Sequence, residues 1–175
     1  MRPAVIVALL SGLLVACSGG STGVVSETPA FRYANLAGED LRNVDLVGRD
    51  LTGVVLDHAD LTGADLTGAT LDLASLSSAN LTGARLVGVY AFGADFSGST
   101  ISGADFTDAS LRETDLRRTV GTSVILDGAD LSGSLMDGAQ LRGASLRGAR
   151  MVAATARMVD LTGADLTDAV LQGAH

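Results

Sequence analysis

The residues that most often do chemistry in proteins are few or badly spaced in this chain. It has two histidines: His175 is the last residue, and His58 lies between Asp57 and Asp60. Asp57, His58 and Asp60 could contact a metal ion, but no second histidine is placed to complete a zinc site. Serines are plentiful, yet no histidine is spaced to activate one and no oxyanion-hole motif accompanies them. The sequence therefore predicts a protein that is not an enzyme, has no cofactor or metal site, and carries His58 at a solvated corner.

The single cysteine, Cys17, follows an apolar N-terminal segment. One thiol excludes an intrachain disulfide and a cysteine-based zinc or iron–sulfur site. Arg2 precedes an eleven-residue run, 4–14, which is too short to anchor a protein in a bilayer but fits the core of a signal peptide. The sequence Leu-Val-Ala-Cys at 14–17 resembles the bacterial lipobox, in which the cysteine is lipidated and becomes the new N-terminus. The alternative is an ordinary signal peptide followed by an incidental cysteine.

The lipobox resemblance divides the chain into three parts. Residues 1–16 are predicted to be a signal peptide, 17–30 a lipidated Cys17 with a flexible tether, and 31–175 the folded domain. The small, polar residues 18–30 give the tether a reach of roughly 20 Å. Acyl chains on Cys17 would make membrane lipid its first partner and would place the protein outside the cytoplasm, anchored to a bacterial membrane.

A five-residue period runs through the chain from Phe31 to Leu171. Of the 29 positions in this phase, 26 hold Leu, Phe, Ile or Met, and the exceptions are Ala91, Gly121 and Ala156. Alanine occupies 18 of the 29 positions that lie three residues after one of these and two before the next. Glycine occupies 17 of the 29 positions that lie two residues after them. Alternate side chains of a strand share a face, so the alanine and the leucine point inward and the polar residue between them points outward. The remaining residues must turn the chain, which predicts a coil wound around a hydrophobic axis.

The motif Ala-Asp-Leu-Thr-Gly, as at 59–63 and 64–68, closely resembles the pentapeptide-repeat family, and the resemblance covers 31–175. It implies an all-β fold, a right-handed quadrilateral β-helix in which four repeats form the four sides of one coil. At twenty residues a coil the domain would have about seven coils and a length of roughly 35 Å. Some members of the family resemble duplex DNA, bind DNA gyrase and protect it from quinolones.

Departures from the motif lead to three structural expectations. Gly121 removes a core side chain while Val120 and Ile125 would point outward, so a local shift or bulge is predicted between residues 117 and 125. Glu39 and Arg49 are the only charged residues at the small inward positions, and they predict a cap on the first coil, with a buried functional pair as the alternative. The last coil has no charged residue at its small inward positions, which predicts an end-to-end homodimer.

The charge of the chain bears on its partners. The net charge is −8, and all twelve basic residues are arginine. Residues 35–109 carry a net charge of −8 and residues 110–159 a net charge of +2. A nonspecific nucleic-acid binder should be basic, so no nucleic-acid partner is predicted. Stacked outward aspartates, such as Asp40 and Asp60, could bind calcium or could form hydrogen bonds with neighbouring turns. The sequence leaves both interpretations open.

Two functions follow from these observations. The first is a non-catalytic, membrane-anchored lipoprotein that acts as an interaction or structural scaffold for an unidentified protein of the cell envelope. The alternative is a DNA-mimicking protein that binds gyrase. The export signal and the arginine-bearing region 110–159 oppose the alternative.

Overall fold

The computed structural model describes residues 31–175, so the predicted signal peptide, Cys17 and the tether lie outside the described residues. Within 31–175 the chain forms neither helices nor strands of more than one residue. It forms 24 isolated parallel bridges instead, from Asn35–Val55 to Arg150–Val170, and each joins a residue to the one twenty positions later. One coil therefore contains twenty residues, or four of the five-residue repeats.

Each repeat turns at the two residues after its core residue. The N–H of the third residue after the core position usually donates to the core residue's carbonyl, as Ala64 does to Leu61 at 2.9 Å. The residue between them, two after the core position, has a positive φ in all 29 repeats. A positive φ at the third residue of a turn is characteristic of type II turns and favours glycine. The five-residue spacing of the glycines thus has a backbone cause.

Backbone hydrogen bonds between coils replace the ladder of a conventional sheet. Around Leu61, the Leu61 N–H donates to the Asn80 carbonyl at 2.7 Å and the Gly63 N–H donates to the Thr82 carbonyl at 3.0 Å. The Asp60 N–H donates in the other direction, to the Glu39 carbonyl at 2.9 Å. Repetition of this pattern satisfies the backbone polar groups that the coil would otherwise bury.

The core is a continuous column of leucines lined by small residues. Leu56 to Leu86 are at most 1% exposed at every fifth position, as are the alanines three residues after them. Phe96 and Phe106 face each other across one coil, with ring centroids 6.0 Å apart and ring planes at 80°. Ala91 and Ile101 occupy the other two sides of that coil and are buried. The small Ala91 leaves room for the edge-to-face pair, which aromatic rings prefer to a stacked sandwich.

The coil around Gly121 keeps its register, and the predicted bulge is wrong. Val120 and Ile125 form parallel bridges to the coils on both sides of them, and they are 41% and 38% exposed. The missing side chain is replaced by one side chain of the same coil and one of the preceding coil. A Cβ atom at Gly121 would lie 2.5 Å from Cγ2 of Val124 and 2.7 Å from Cγ1 of Ile101, so these two side chains already fill the space. The local change is limited to residues 122 and 123, which form a bend instead of a turn.

The two ends of the solenoid differ in their core positions. Glu39 and Arg49 are half-buried in the first coil, where their inward positions are ten residues apart and therefore on opposite walls. In the last coil Leu161 and Leu166 are half-buried, and Leu171 is 48% exposed. The cap at Glu39 and Arg49 stays a prediction.

Candidate functional site

The outward aspartates just before the core residues hold the turns that follow them. The Asp60 carboxylate accepts hydrogen bonds from the Thr62 N–H at 3.1 Å and from the Thr62 hydroxyl at 2.5 Å. Asp65 and Thr67 repeat the arrangement, and Asn80 with Thr82 shows that an amide oxygen can do the same. This local hydrogen bonding is the Asx turn, which stabilises a tight bend next to its own residue. The turn-forming reading of the Asp columns therefore has direct support.

A second set of aspartates, one residue after the core position, ties successive coils together. Asp57 accepts the Ser75 hydroxyl at 2.5 Å and the Ser77 N–H at 3.1 Å. Asp127 makes the corresponding bonds on the opposite side of the solenoid, to the Ser145 hydroxyl and the Arg147 N–H. These carboxylates serve as links along the solenoid.

Two carboxyl groups at the surface are held strongly in the ionised form. Asp40 accepts two hydrogen bonds from the Arg42 guanidinium, at 2.6 and 2.8 Å, which lower the pKa of the carboxyl to about 2. The Asp160 pKa is also lowered to about 2, first by the Thr162 hydroxyl and then by the Arg142 guanidinium, whose Nε lies 2.6 Å from the carboxylate. Both groups are anchored to neighbours and are not poised to transfer a proton near neutral pH.

His58 does not join a metal site with the acids beside it. It occupies an exposed turn position with φ +59°. Asp57 accepts a hydrogen bond from the next coil, and Asp60 accepts one from Thr62. Within 31–175 no group of three or more His, Cys, Asp or Glu side chains could hold a metal ion. His175 lies at the open last coil, where its N–H donates to the Ala154 carbonyl at 3.1 Å.

A shallow cavity of about 260 Å³ lies on the corner formed by the turns after Leu76, Phe96 and Leu116. It is lined by Ser77, Ser78, Ser97, Gly98, Arg117 and Arg118. The Arg117 guanidinium donates hydrogen bonds of 2.5 to 3.0 Å to the Asp115 carboxylate. Arg118 is thus the cation that this cavity could offer to a ligand.

One surface feature is not predicted by the repeat pattern. Large apolar side chains gather on a single corner of the solenoid near its first coils, and both tyrosines of the chain are among them. Spacings close to multiples of twenty, 40 residues from Tyr33 to Leu73 and 19 from Leu73 to Phe92, could have revealed them, because residues twenty apart stack on the same side. No helix in the described part of the chain could cross a bilayer.

These observations define the class of protein: a β-solenoid of five-residue repeats with four repeats to a coil. The chain belongs to the pentapeptide-repeat family, whose model (pentapeptide repeats) matches residues 30–63, 56–98, 69–108, 101–138 and 135–173.

Three solved structures illustrate the range of similar proteins. HetL, a pentapeptide repeat protein involved in heterocyst differentiation regulation from the cyanobacterium Nostoc sp. strain PCC 7120, is 33% identical over 81% of this chain and 73% of its own, with a TM-score of 0.36. QnrB1, a plasmid-mediated fluoroquinolone resistance protein, is 22% identical over 83% of both chains, with a TM-score of 0.56. A pentapeptide repeat protein from the thylakoid lumen of Arabidopsis thaliana is 23% identical over 67% of this chain and 68% of its own, with a TM-score of 0.42. No curated protein sequence matches the chain.

Proposed function

We propose that this protein is a non-catalytic lipoprotein that presents a rigid solenoid to a protein partner at the cell envelope. The solenoid is proposed to be a right-handed quadrilateral β-helix of about seven coils. The observation that carries the proposal is the use of the outward polar side chains: aspartates such as Asp57 and Asp60 bind their own turns or the next coil. A surface held in this way is rigid, and rigid surfaces bind partners by shape and charge with little loss of conformational entropy.

The charge of the surface gives the expected partner its chemistry. The acidic stretch 35–109 lies next to the predicted tether, and a basic patch on an envelope protein would complement it. Acyl chains on Cys17 would hold the solenoid close to the membrane, where such a partner would meet it at a raised local concentration.

The test uses the full chain expressed in a bacterium, with Cys17→Ala as the variant. Wild-type protein should incorporate a radiolabelled fatty acid, sediment with membranes and cross-link to a specific envelope protein. Cys17→Ala should lose the fatty acid and the membrane fraction. An unlabelled wild-type chain, or a Cys17→Ala chain that is still processed and membrane-bound, would refute the lipoprotein part.

A matched surface variant separates the partner from the anchor. Reversing the charge at two acidic positions that make no ion pair with arginine, Asp45 and Asp105, should weaken the cross-link while labelling at Cys17 is unchanged. Asp50→Lys, which also removes the exposed contact to Arg32 at 3.6 Å, tests a third acidic position. A cross-link that is indifferent to all three changes would contradict an acidic binding surface.

The second candidate function is gyrase binding by DNA mimicry. The fold likeness to QnrB1 and the acidic stretch 35–109 favour it. The predicted export signal and the seven arginines of 110–159 oppose it. A supercoiling assay decides: residues 18–175 should leave purified gyrase, with and without a quinolone, unaffected if the scaffold proposal is right, and should inhibit or protect it if the alternative is right.

The open last coil carries a separate proposal of a homodimer. Leu171 is 48% exposed and Leu161 is half-buried, because no further coil covers them within the described residues. Pairing of two such ends would bury these leucines and join the unpaired backbone groups of the last coil.

A further inference from the structure

The exposed aromatic residues of this chain lie together. Of its six aromatic residues, three are buried in the core and three are exposed. The exposed ones, Tyr33, Tyr90 and Phe92, share one corner with Leu73, and the four side chains are 44 to 68% exposed. We call these four residues the aromatic corner. Single exposed apolar residues are ordinary, but a contiguous group marks a binding surface.

The coil geometry brings the four side chains to neighbouring positions, with Tyr90 two residues before Phe92 on the side that leads into the corner. Tyr33 and Leu73 occupy the same turn position two coils apart, and Phe92 lies one coil beyond Leu73 at the neighbouring position. Glycine separates the large side chains: the Tyr33 ring covers Gly53, and a Cβ at Gly93 would lie 3.1 Å from Cδ2 of Leu73. With coils ~4.8 Å apart, the strip is about 15 Å long.

The aromatic corner is weakly charged although the stretch around it is acidic. Two acidic residues lie within it. The Asp72 carboxylate accepts the Phe92 N–H at 2.8 Å. Asp50, two coils before Tyr90 in the same column, lies 3.6 Å from the Arg32 guanidinium, which offsets its charge. Arg32 stands at one end of the strip, with its guanidinium carbon 5.9 Å from the centre of the Tyr33 ring. Arg112 and Glu113 follow one coil beyond Phe92 at the other end. Most acidic residues of 35–109 project from the other sides of the coil.

The path of the chain favours a lipid surface as the occupant. The described chain begins at Phe31, two residues before Tyr33 and in the same column of repeats as Leu73 and Phe92. The predicted tether, 17–30, therefore enters the solenoid at the aromatic corner, and its reach of about 20 Å exceeds the length of the strip. An anchor at Cys17 would thus keep this corner within reach of the membrane.

We propose that the aromatic corner docks in the headgroup region of the membrane to which Cys17 is anchored, so that the solenoid lies along the bilayer. This inference rests on the proposed lipidation. Tyrosine rings prefer the membrane–water interface, where the ring is apolar and the hydroxyl stays hydrated. Tethering makes the contact intramolecular, so a small apolar strip suffices to orient the protein. The acidic sides then face the aqueous compartment, where they are open to a protein partner.

The chain supplies its own probe for this contact. It has no tryptophan, and its two tyrosines are both in the aromatic corner, so the intrinsic fluorescence reports on this surface alone. Lipidated full-length protein is reconstituted in phosphatidylcholine vesicles, with and without brominated acyl chains. Docking should reduce the quenching of tyrosine emission by aqueous acrylamide about twofold relative to the same protein in solution without lipid or detergent. Brominated lipid should quench the tyrosine emission of the docked protein.

The variants separate docking from anchoring. Leu73→Ser with Phe92→Ser should abolish quenching by brominated lipid while the protein still floats with vesicles. Met158→Ser, at a side chain 93% exposed on another corner, is the matched control and should change neither measurement. Tyrosines that stay open to acrylamide in vesicle-bound wild type would overturn the docking and leave the lipoprotein proposal intact.

Two further outcomes separate a failure of the lipidation from a failure of the docking, and a membrane contact from a contact between two copies of the chain. If cells do not acylate Cys17, the proposed function fails, and coupling the thiol to a maleimide lipid still tests the aromatic corner in the same geometry. Protection from acrylamide that rises with protein concentration, without quenching by brominated lipid, would assign the corner to a second copy of the chain and overturn the proposal.

Discussion

Val124 fills the core space that Gly121 leaves empty in the same coil. A Cβ on Gly121 would lie 2.5 Å from Cγ2 of Val124, whose side chain is fully buried at a position where alanine is the commonest residue. The two residues thus exchange volumes: the large core position became small and the small one became large. Core packing tolerates exchanges that conserve volume better than those that do not.

This exchange predicts a strong coupling between the two positions. Val124→Ala should lower the free energy of unfolding by about 2 kcal/mol, because it removes two buried methyl groups and leaves a cavity. Gly121→Leu alone should cost about 1–3 kcal/mol through overpacking. The double variant restores the common repeat pattern and should be more stable than the sum of the single effects. Urea denaturation of all four proteins measures the coupling, and simple additivity would contradict the exchange.

The aromatic pair in the core predicts a large effect of burial. Phe96→Ala should lower the free energy of unfolding by about 3–5 kcal/mol, because the ring is fully buried and packs edge-to-face on Phe106. Phe92→Ala removes the same side chain at an exposed position, so the change should stay within about 0.5 kcal/mol. Thermal and urea unfolding compare them, and equal losses would show that the ring at 96 is not packed as described.

Acid should destabilise the solenoid in a defined pH range. The Asp160 pKa is about 2 in the folded protein against an ordinary value of 3.8, so folding favours the ionised carboxylate. Its contribution is therefore complete above pH 3.8 and is lost as the pH falls through 2. Asp160→Asn keeps an oxygen acceptor for the Thr162 turn, as Asn80 does for Thr82, but removes the titration.

The measurement is the slope of the free energy of unfolding against pH between 2 and 4, which should be smaller in Asp160→Asn than in wild type. Carboxyl NMR gives the pKa directly. Arg42→Gln is the companion variant: it should raise the Asp40 pKa toward its ordinary value, because the hydrogen bonds from Arg42 are the largest cause of the shift. An Asp40 pKa that stays near 2 in Arg42→Gln would refute this cause.

The left-handed turn position predicts opposite effects of adding and removing a side chain. At Gly68, φ is +64° and a Cβ would meet nothing within 4 Å, so Gly68→Ala tests backbone strain alone and should cost about 1 kcal/mol. Ala153 has φ +56° at the equivalent position, and Ala153→Gly should be neutral or stabilising. Denaturation curves measure both changes; a stabilising Gly68→Ala would contradict the turn geometry.

The open last coil predicts a dimer that one substitution can dissociate. Soluble protein lacking residues 1–17 should scatter light as a dimer, and Leu171→Asp should scatter as a monomer, because a charge would be buried between the two ends. Leu73→Asp changes a similarly exposed leucine far from that coil and serves as the control. A monomeric wild-type mass would rule out the contact.

The sequence by itself determined the repeating unit of this protein. The five-residue spacing of Leu, Ala and Gly predicts which side chains point inward and where the chain turns, and residues such as Leu61, Ala64 and Gly63 behave accordingly. This is possible because each repeat makes the same local turn, so that a short pattern specifies the backbone. The family and the solenoid fold follow from it.

The tertiary structure decided what happens where the pattern breaks. Gly121 in the pattern predicts a bulge, but hydrogen bonds to the two neighbouring coils hold the register, and filling the space with Val124 costs less than breaking those bonds. The aromatic corner likewise unites Tyr33 with Phe92, which are 59 positions apart in the chain. Contacts of this kind depend on the stacking of coils and on the direction of each side chain, and neither is written in a five-residue motif.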